Sequence, residues 1–471
     1  MTLRLSKQFL PLWAPLASLA LLAAAGLVAC STGPTHVRPS VVLPAQFAAT
    51  PQARQTAADW QASTPSSFAS PEAVWAVFED AQLSRLVAAA GQGSQTLKAA
   101  EARYRSAQAA LQISAAGRLP QLDSRLKASQ NHDTGTTSSA SLSVGVSWEV
   151  DLWGRIERAV AEATAVAEAE AHDLAAARLS LQALVAQTYL QWRLNEAEAA
   201  LWQRLLEADR RFLALTRERH RAGVVSGLEV AQAETQLANG EAQAEENALL
   251  LRQTRYALAT LVGDPTVPLA LAMPLPRIPG PPVLIPSRLV ERRPDIQAAE
   301  RRVAAANAAI GQAKTAFFPT LNLTADAGLR GSHLARITSQ PIHFWSLGPS
   351  LALTVFDAEA RRAGVSRAEA EHEAVVADYR QTVLVAFQEV QDNLAAAHAL
   401  AIQATHQEMA LAAARRANAI AAAQYQAGTI SGLDALTLQR AEQTAEIQSL
   451  RLMGRRLIAS VQLLKIVAGE I

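Results

Sequence analysis

The chain has 471 residues, half of them apolar but only 5% aromatic, with a formal net charge of +1. That balance gives no basic face for nucleic acid, and the single cysteine, Cys30, excludes a disulfide framework and a cysteine-based metal site. Alanine dominates, with Glu, Arg and Gln between, which favours long helices because Ala loses no side-chain entropy on entering one.

Residues 1–29 read as a targeting segment to be left out of the fold. Arg4 and Lys7 precede a largely apolar run from Pro11 to Val28. Leu27-Val28-Ala29-Cys30 resembles a bacterial lipobox, in which the cysteine thiol receives lipid and becomes the mature N-terminus. Ser31 follows, where an Asp commonly retains such lipoproteins at the inner membrane, so Ser points to the outer membrane. The alternatives are an ordinary secretory signal or an uncleaved anchor. Each buried CH₂ of an attached lipid contributes about 0.8 kcal/mol to anchoring. No later apolar run reaches the length of a membrane helix, so a membrane-spanning mature chain must use strands.

Residues 30–80 read as an N-terminal anchor and extended surface segment, with helical pattern from near Pro71. Residues 81–263 form a first repeat, which opens on a helix from about Gln82 to Ala116. The period then changes to two, predicting strands over about 119–129 and 141–151 around a polar loop. A proline-free helix follows from Leu152 to about Arg221 (roughly 100 Å at 1.5 Å per residue), and a second from Leu228 to Leu261. Residues 264–294 are a proline-rich linker. Residues 295–471 repeat the pattern: a helix over Asp295–Ala316, strands over about 319–328 and 345–356 flanking a polar loop, a helix from about Ala358 to Ala427, and a last one from Leu433 to about Val467. The helix breaks Ala222-Gly223-Val224-Val225-Ser226-Gly227-Leu228 and Ala427-Gly428-Thr429-Ile430-Ser431-Gly432-Leu433 match, so the chain is a duplication with a period of about 205 residues.

Each predicted strand has one apolar and one polar face, as a bilayer-crossing strand requires. Four such strands cannot close a barrel, and an open edge cannot face lipid. Three chains supply twelve. Asp123, Arg125, Lys127, Glu149, Asp151, Asn322 and Asp326 would then line the lumen. Trp148, Trp153 and Trp345 fall near strand ends, where an interfacial aromatic belt or a packed core would use them. Apolar stripes such as Leu174, Leu181, Leu184, Val185 and Val376, Val383, Leu384, Phe387 predict helix-on-helix packing.

Val290-Glu291-Arg292-Arg293-Pro294-Asp295-Ile296-Gln297-Ala298-Ala299-Glu300 resembles the E-R-R-P-D-I-x-x-A-E signature of TolC-like outer-membrane factors. It continues into Ala304 to Gly311 and Ala316-Phe317-Phe318-Pro319, and Asp151-Leu152-Trp153-Gly154-Arg155 resembles the family's D-L-W-G-R. The lipobox is similar to that of the NodT-type lipoprotein branch, which serves resistance-nodulation-division (RND) pumps. The resemblance implies a mainly α homotrimer: a twelve-stranded membrane β-barrel continuing into a long periplasmic α-helical barrel, with residues 30–80 as an equatorial segment. It implies passive conduction in the outer membrane, with a periplasmic adaptor and an inner-membrane pump as partners, and no enzyme activity, cofactor or metal beyond lipid on Cys30.

The two glycine-containing breaks would lie at the periplasmic tip. Asp434 matches the first of the family's gate carboxylates, and Glu229 is its first-copy counterpart. Thr437 and Ile430 stand where some members carry an aspartate and an arginine, so a salt-bridged gate is not implied. Three copies of each carboxylate near a threefold axis would attract cations; alternatively both are carboxylates favoured by a helix dipole. The Arg292, Arg293, Asp295 cluster reads as a structural helix start. The histidines show no metal-binding spacing and no nucleophile motif is present. Two rival roles remain at this stage: a duct for type I protein secretion, and a periplasmic adaptor lipoprotein.

Overall fold

The computed structural model describes residues 33–42, 73–132, 134, 136–269, 274–279 and 292–468. Cys30 lies outside them. After a 3-10 helix, Ala73–Phe78, come α1 (Ala81–Gly93), α2 (Gln95–Ala116), β1 (Gln121–His132), β2 (Thr136–Val150), α3 (Arg155–Arg221) and α4 (Gly227–Val262). The second copy gives α5 (Pro294–Thr315), β3 (Thr320–Gly331), α6 (Leu334–Ser339), β4 (Ile342–Ala352), α7 (Ala360–Gln426) and α8 (Gly432–Ala468). No helix among the described residues is long and apolar enough to cross a membrane.

Two expectations need correction. The single helix over Gln82–Ala116 is two helices, broken at Ser94, whose ψ of 123° is extended. The cause is packing: Gly93 lies against the backbone of Val262 and Gly263, so closely that a Cβ at Gly93 would overlap the Val262 carbonyl oxygen. The polar loop after Arg330 contains α6, whose Ile337 is buried and whose backbone packs on Gly331.

The chain forms two compact units. The first holds residues 33–39 and the described parts of 104–169 and 299–379; the second holds 73–103 and the described parts of 170–298 and 380–468. The sheet belongs to the first unit. It is antiparallel in the order β1-β2-β3-β4, so the β2–β3 pair joins the two copies. β1 and β4 each keep one edge without a partner among the described residues.

The main core lies in the second unit. Val74, Trp75, Phe78, Leu83, Leu86, Val87 and Leu97 pack with Leu181, Val185, Tyr189 and Trp192 of α3, Leu258 and Val262 of α4, and Leu457, Val461 and Leu464 of α8. Each such fully buried large side chain contributes about 1.5–3 kcal/mol. Several polar groups bordering this core are paired. The Trp75 indole N–H donates to Gln182 Oε1 at 3.1 Å. Asp80 caps α1, accepting from the Gln82 and Leu83 amides at 2.9 and 3.1 Å, and also receives the Tyr189 hydroxyl and Arg193. Burial first, and the Asp80 carboxylate as well, push the Tyr189 hydroxyl up to about 12, so it stays a donor at neutral pH. The predicted stripes are only half covered: Leu181, Val185 and Val383 are buried, whereas Leu184 and Leu384 are exposed.

Candidate functional site

The strand register sorts side chains between two faces, because successive residues point to opposite sides. One face carries Leu122–Val146–Ala325–Leu347, Leu126–Leu142–Leu329–His343 and Val150–Leu321–Leu351 among its cross-strand rows, and is mainly apolar. Trp345, at 80% exposure, stands on this apolar face beside Ala327 and Val144. The opposite face carries Asp123–Gly145–Asp326–Ser346, Arg125–Ser143–Gly328–Phe344, Lys127–Ser141–Arg330–Ile342 and Glu149–Asn322–Ser350. So Asp123, Arg125, Lys127, Glu149, Asn322 and Asp326 are brought together on one surface.

Asp151 stands apart. It lies just past β2 and its carboxylate accepts the Glu157 amide at 2.8 Å, capping the first turn of α3. Glu149 is held bidentately by Arg155, at 2.8 and 2.6 Å, which ties the strand end to the helix start. Trp153 stacks on Phe318 and donates to the Pro319 carbonyl at 2.7 Å, while Trp148 donates to the Arg118 carbonyl at 3.1 Å. Sequence periodicity missed Arg330, Phe344 and Ile342 on the polar face. The sequence pattern ends the strand at about 328 and makes Arg330 the start of the polar loop, whereas β3 runs to Gly331, and the two apolar residues precede the alternation that was recognised.

The signature residues hold local structure. The Arg293 guanidinium, largely buried, donates to both Asp295 oxygens at 3.0 and 2.6 Å and to Glu389 at 2.9 Å. Burial pushes the Asp295 carboxyl up, but Arg293 outweighs it and holds it below the ordinary carboxylate range. Asn307 donates to the Pro34 carbonyl at 3.0 Å, His36 Nε2 meets Glu300 at 2.7 Å, and Arg38 donates to the Tyr379 hydroxyl at 3.2 Å. A Cβ on Gly33 would strike the Gly311 backbone. Residues 33–36 are therefore fastened along the signature helix α5, and Arg38 is tied to α7 through Tyr379.

The two helix breaks are closed alike. Gly223 and Gly428 adopt φ of +72° and +76°. The Gly223 and Val224 amides donate to His220 and Arg219, and the Gly428 and Thr429 amides to Tyr425 and Gln424. This is a Schellman closure, which needs a left-handed residue at that position. The breaks also touch. Arg219 donates to the Tyr425 and Gln426 carbonyls at 2.7 and 3.2 Å and lies 4.2 Å over the Tyr425 ring. A half-buried Glu229 packs against Gly432, its Oε2 without a hydrogen bond. Asp434 is exposed; it accepts from the Ser431 hydroxyl at 2.7 Å while its own amide donates to Ser431 Oγ at 3.2 Å. Thr437 bonds back to the Leu433 carbonyl.

Sequence reasoning also missed Asp209, a carboxylate on α3 that is 3% exposed. Its Oδ1 accepts from Gln439 and Gln443 at 2.6 and 2.8 Å, and its Oδ2 from Gln236 at 3.4 Å, so α3, α4 and α8 meet there. Burial pushes its pKa up, more than the three amides and Arg440 lower it.

The protein-family profile described as outer membrane efflux protein matches residues 86–264 and 285–469. The outer membrane protein OprJ of Pseudomonas aeruginosa is 32% identical, with 96% of this chain and 95% of that one covered. The pyoverdine export outer membrane protein OpmQ of Pseudomonas putida is 33% identical over 94% and 95%. Among solved structures, the outer-membrane channel OprN superposes with a TM-score of 0.85 at 29% identity, covering 93% of this chain and 99% of that one. CusC gives 0.82 at 26% identity, over 93% and 99%. An adaptor would match neither this profile nor a two-copy channel fold. The chain belongs to the outer membrane efflux protein family, the TolC-like outer-membrane factors, and is an outer-membrane efflux channel protein.

Proposed function

We propose that three copies of the chain share one twelve-stranded barrel, with the polar sheet face inward and the apolar face in lipid. The observation that carries this is the sheet itself: one face mainly apolar and the other mainly polar, four strands wide among the described residues, with β1 and β4 each open along one edge there. In hydrocarbon every backbone polar group must be paired, so those edges need strands from other copies. Lipid on Cys30 anchors the mature N-terminus, and residues 33–38, fastened to α5 and, at Arg38, to α7, carry the chain away from it. The helical breaks at 222–226 and 427–431 form the periplasmic tip, where Asp434 and Glu229 ring the constriction. A periplasmic adaptor and an inner-membrane RND-type pump deliver the substrate, and the duct conducts it passively without catalysis or cofactor.

Planar-bilayer recording of the purified mature protein tests the channel. Stepwise conductance from the lipidated protein is expected; a protein that associates with membranes yet never conducts contradicts the reading. Labelling with radioactive palmitate tests the anchor: the label should be lost on Cys30→Ser.

A further inference from the structure

The polar face of the sheet sorts its charges along the strands. Asp123 and Asp326 share one row with Gly145 between them. A Cβ at Gly145 would lie 2.7 Å from Asp326 Oδ1 and 3.5 Å from Asp123 Oδ2, so glycine leaves the two carboxylates facing across a gap. The next row toward the hairpin turns holds Arg125 and Phe344, and the row after it Lys127, Arg330 and Ile342. Rows of like-facing residues are about 6.6–6.8 Å apart along a strand. Acid and base are thus separated by position rather than interspersed.

The cations differ in their surroundings. Arg125 is partly neutralised by Asp123 at 3.6 Å. Lys127 makes no ion pair among the described residues, and Arg330 lies 4.7 Å over the Phe344 ring. Ile342, beside Arg330, is 63% exposed, and the intervening residues Ser141, Ser143 and Gly328 are small. Two cations next to exposed apolar surface, with the small residues Ser141, Ser143 and Gly328 between them, form a platform for a ligand that carries both negative charge and a flat apolar body.

We propose that Lys127 and Arg330, with Phe344 and Ile342, form a band at the turn end of the lumen that retains anions bearing an aromatic group. The row of Asp123 and Asp326 lies beneath it as a like-charged floor. A bound anion would meet repulsion before it could move back toward the helices. The proposal rests on the reading of the polar face as the lumen.

Binding of pyrenetetrasulfonate, a flat fluorescent tetra-anion, to the purified detergent-solubilised protein tests it by fluorescence anisotropy. Measurements at about 0.01 M and 0.1 M salt bracket Debye lengths of about 30 and 10 Å. Wild-type binding should weaken with salt. K127Q/R330Q should weaken it at low salt by at least roughly tenfold, about 1.4 kcal/mol. Phe344→Ala should weaken it too, and Asp326→Asn should tighten it. Lys98→Gln, on α2, is the control for diffuse charge. An intact trimer of K127Q/R330Q that binds the dye like wild type overturns the proposal and leaves the lumen reading standing. A protein that stays monomeric in detergent overturns both.

Discussion

At the scale of single residues, buried charge is where this protein is most sensitive. Asp209 sits among three glutamine amides with its pKa raised by burial. The folded state therefore binds a proton more tightly than the unfolded chain. Its contribution to stability falls as pH rises from the ordinary carboxylate range through the raised folded value, and stays unfavourable above it. Asp209→Asn should remove that dependence: the thermal midpoint of wild type relative to the variant should drop between acidic and neutral pH. Parallel pH profiles would contradict this. Arg293 is the opposite case, a cation whose loss strands Asp295. Arg293→Ala should cost about 1.5–3 kcal/mol, the range for hydrogen bonds to charged groups, seen as a lower unfolding midpoint. At the proposed tip, Asp434 is exposed and held by Ser431. Asp434→Ala should raise single-channel conductance or relieve block by multivalent cations, and an unaltered conductance and block would remove it from the gate.

At the scale of elements, the strands show both what sequence reveals and what it hides. Alternation from Leu142 to Val150 is strict, and from Leu122 to Lys127 it is interrupted at Ser124 alone, so the two faces were legible from the sequence. The pairing of β2 with β3 was not, because nothing local encodes which hairpin edges meet. The break at Ser94 was hidden for a related reason: Gly91 and Gly93 are tolerated within a helix, and only the approach of Val262 and Gly263 ends it. α6 is too short to show a period. Asp209 escaped notice because a lone carboxylate on an amphipathic helix looks solvent-facing until its neighbours are known. By contrast the paired glycines at 223 and 428 announced their turns, since a left-handed residue after a helix is a chemical requirement. The face assignment itself is testable. Leu347→Arg, on the apolar face, should destabilise the membrane-inserted protein by about 2–4 kcal/mol if it lies near the bilayer midplane, while Ser143→Arg, on the polar face, should be tolerated. Equal effects at the two positions would mean that the faces are not lipid and lumen.

At the scale of the whole molecule, duplication explains the economy of the design. Each copy supplies a hairpin of two strands and a helical pair closed by the same glycine-containing turn. Among the described residues one chain therefore has four strands and two open edges, a state that water tolerates and hydrocarbon does not. The fold class and the family were readable from the period of the apolar pattern and the Glu291–Glu300 stretch. The fastening of residues 33–38 to α5 and α7 was not, because it depends on side chains more than 250 residues apart, such as His36 and Glu300.

Everything about transport follows from subunits sharing a pore, closed by β1 of one copy pairing with β4 of the next. The native mass of the lipidated protein released from mild detergent tests that claim directly. A particle of three chains, with no free single chain at equilibrium, is the expected result. A stable, folded single chain with both sheet edges covered would show that the four strands need no neighbours, and the shared barrel would have to be abandoned.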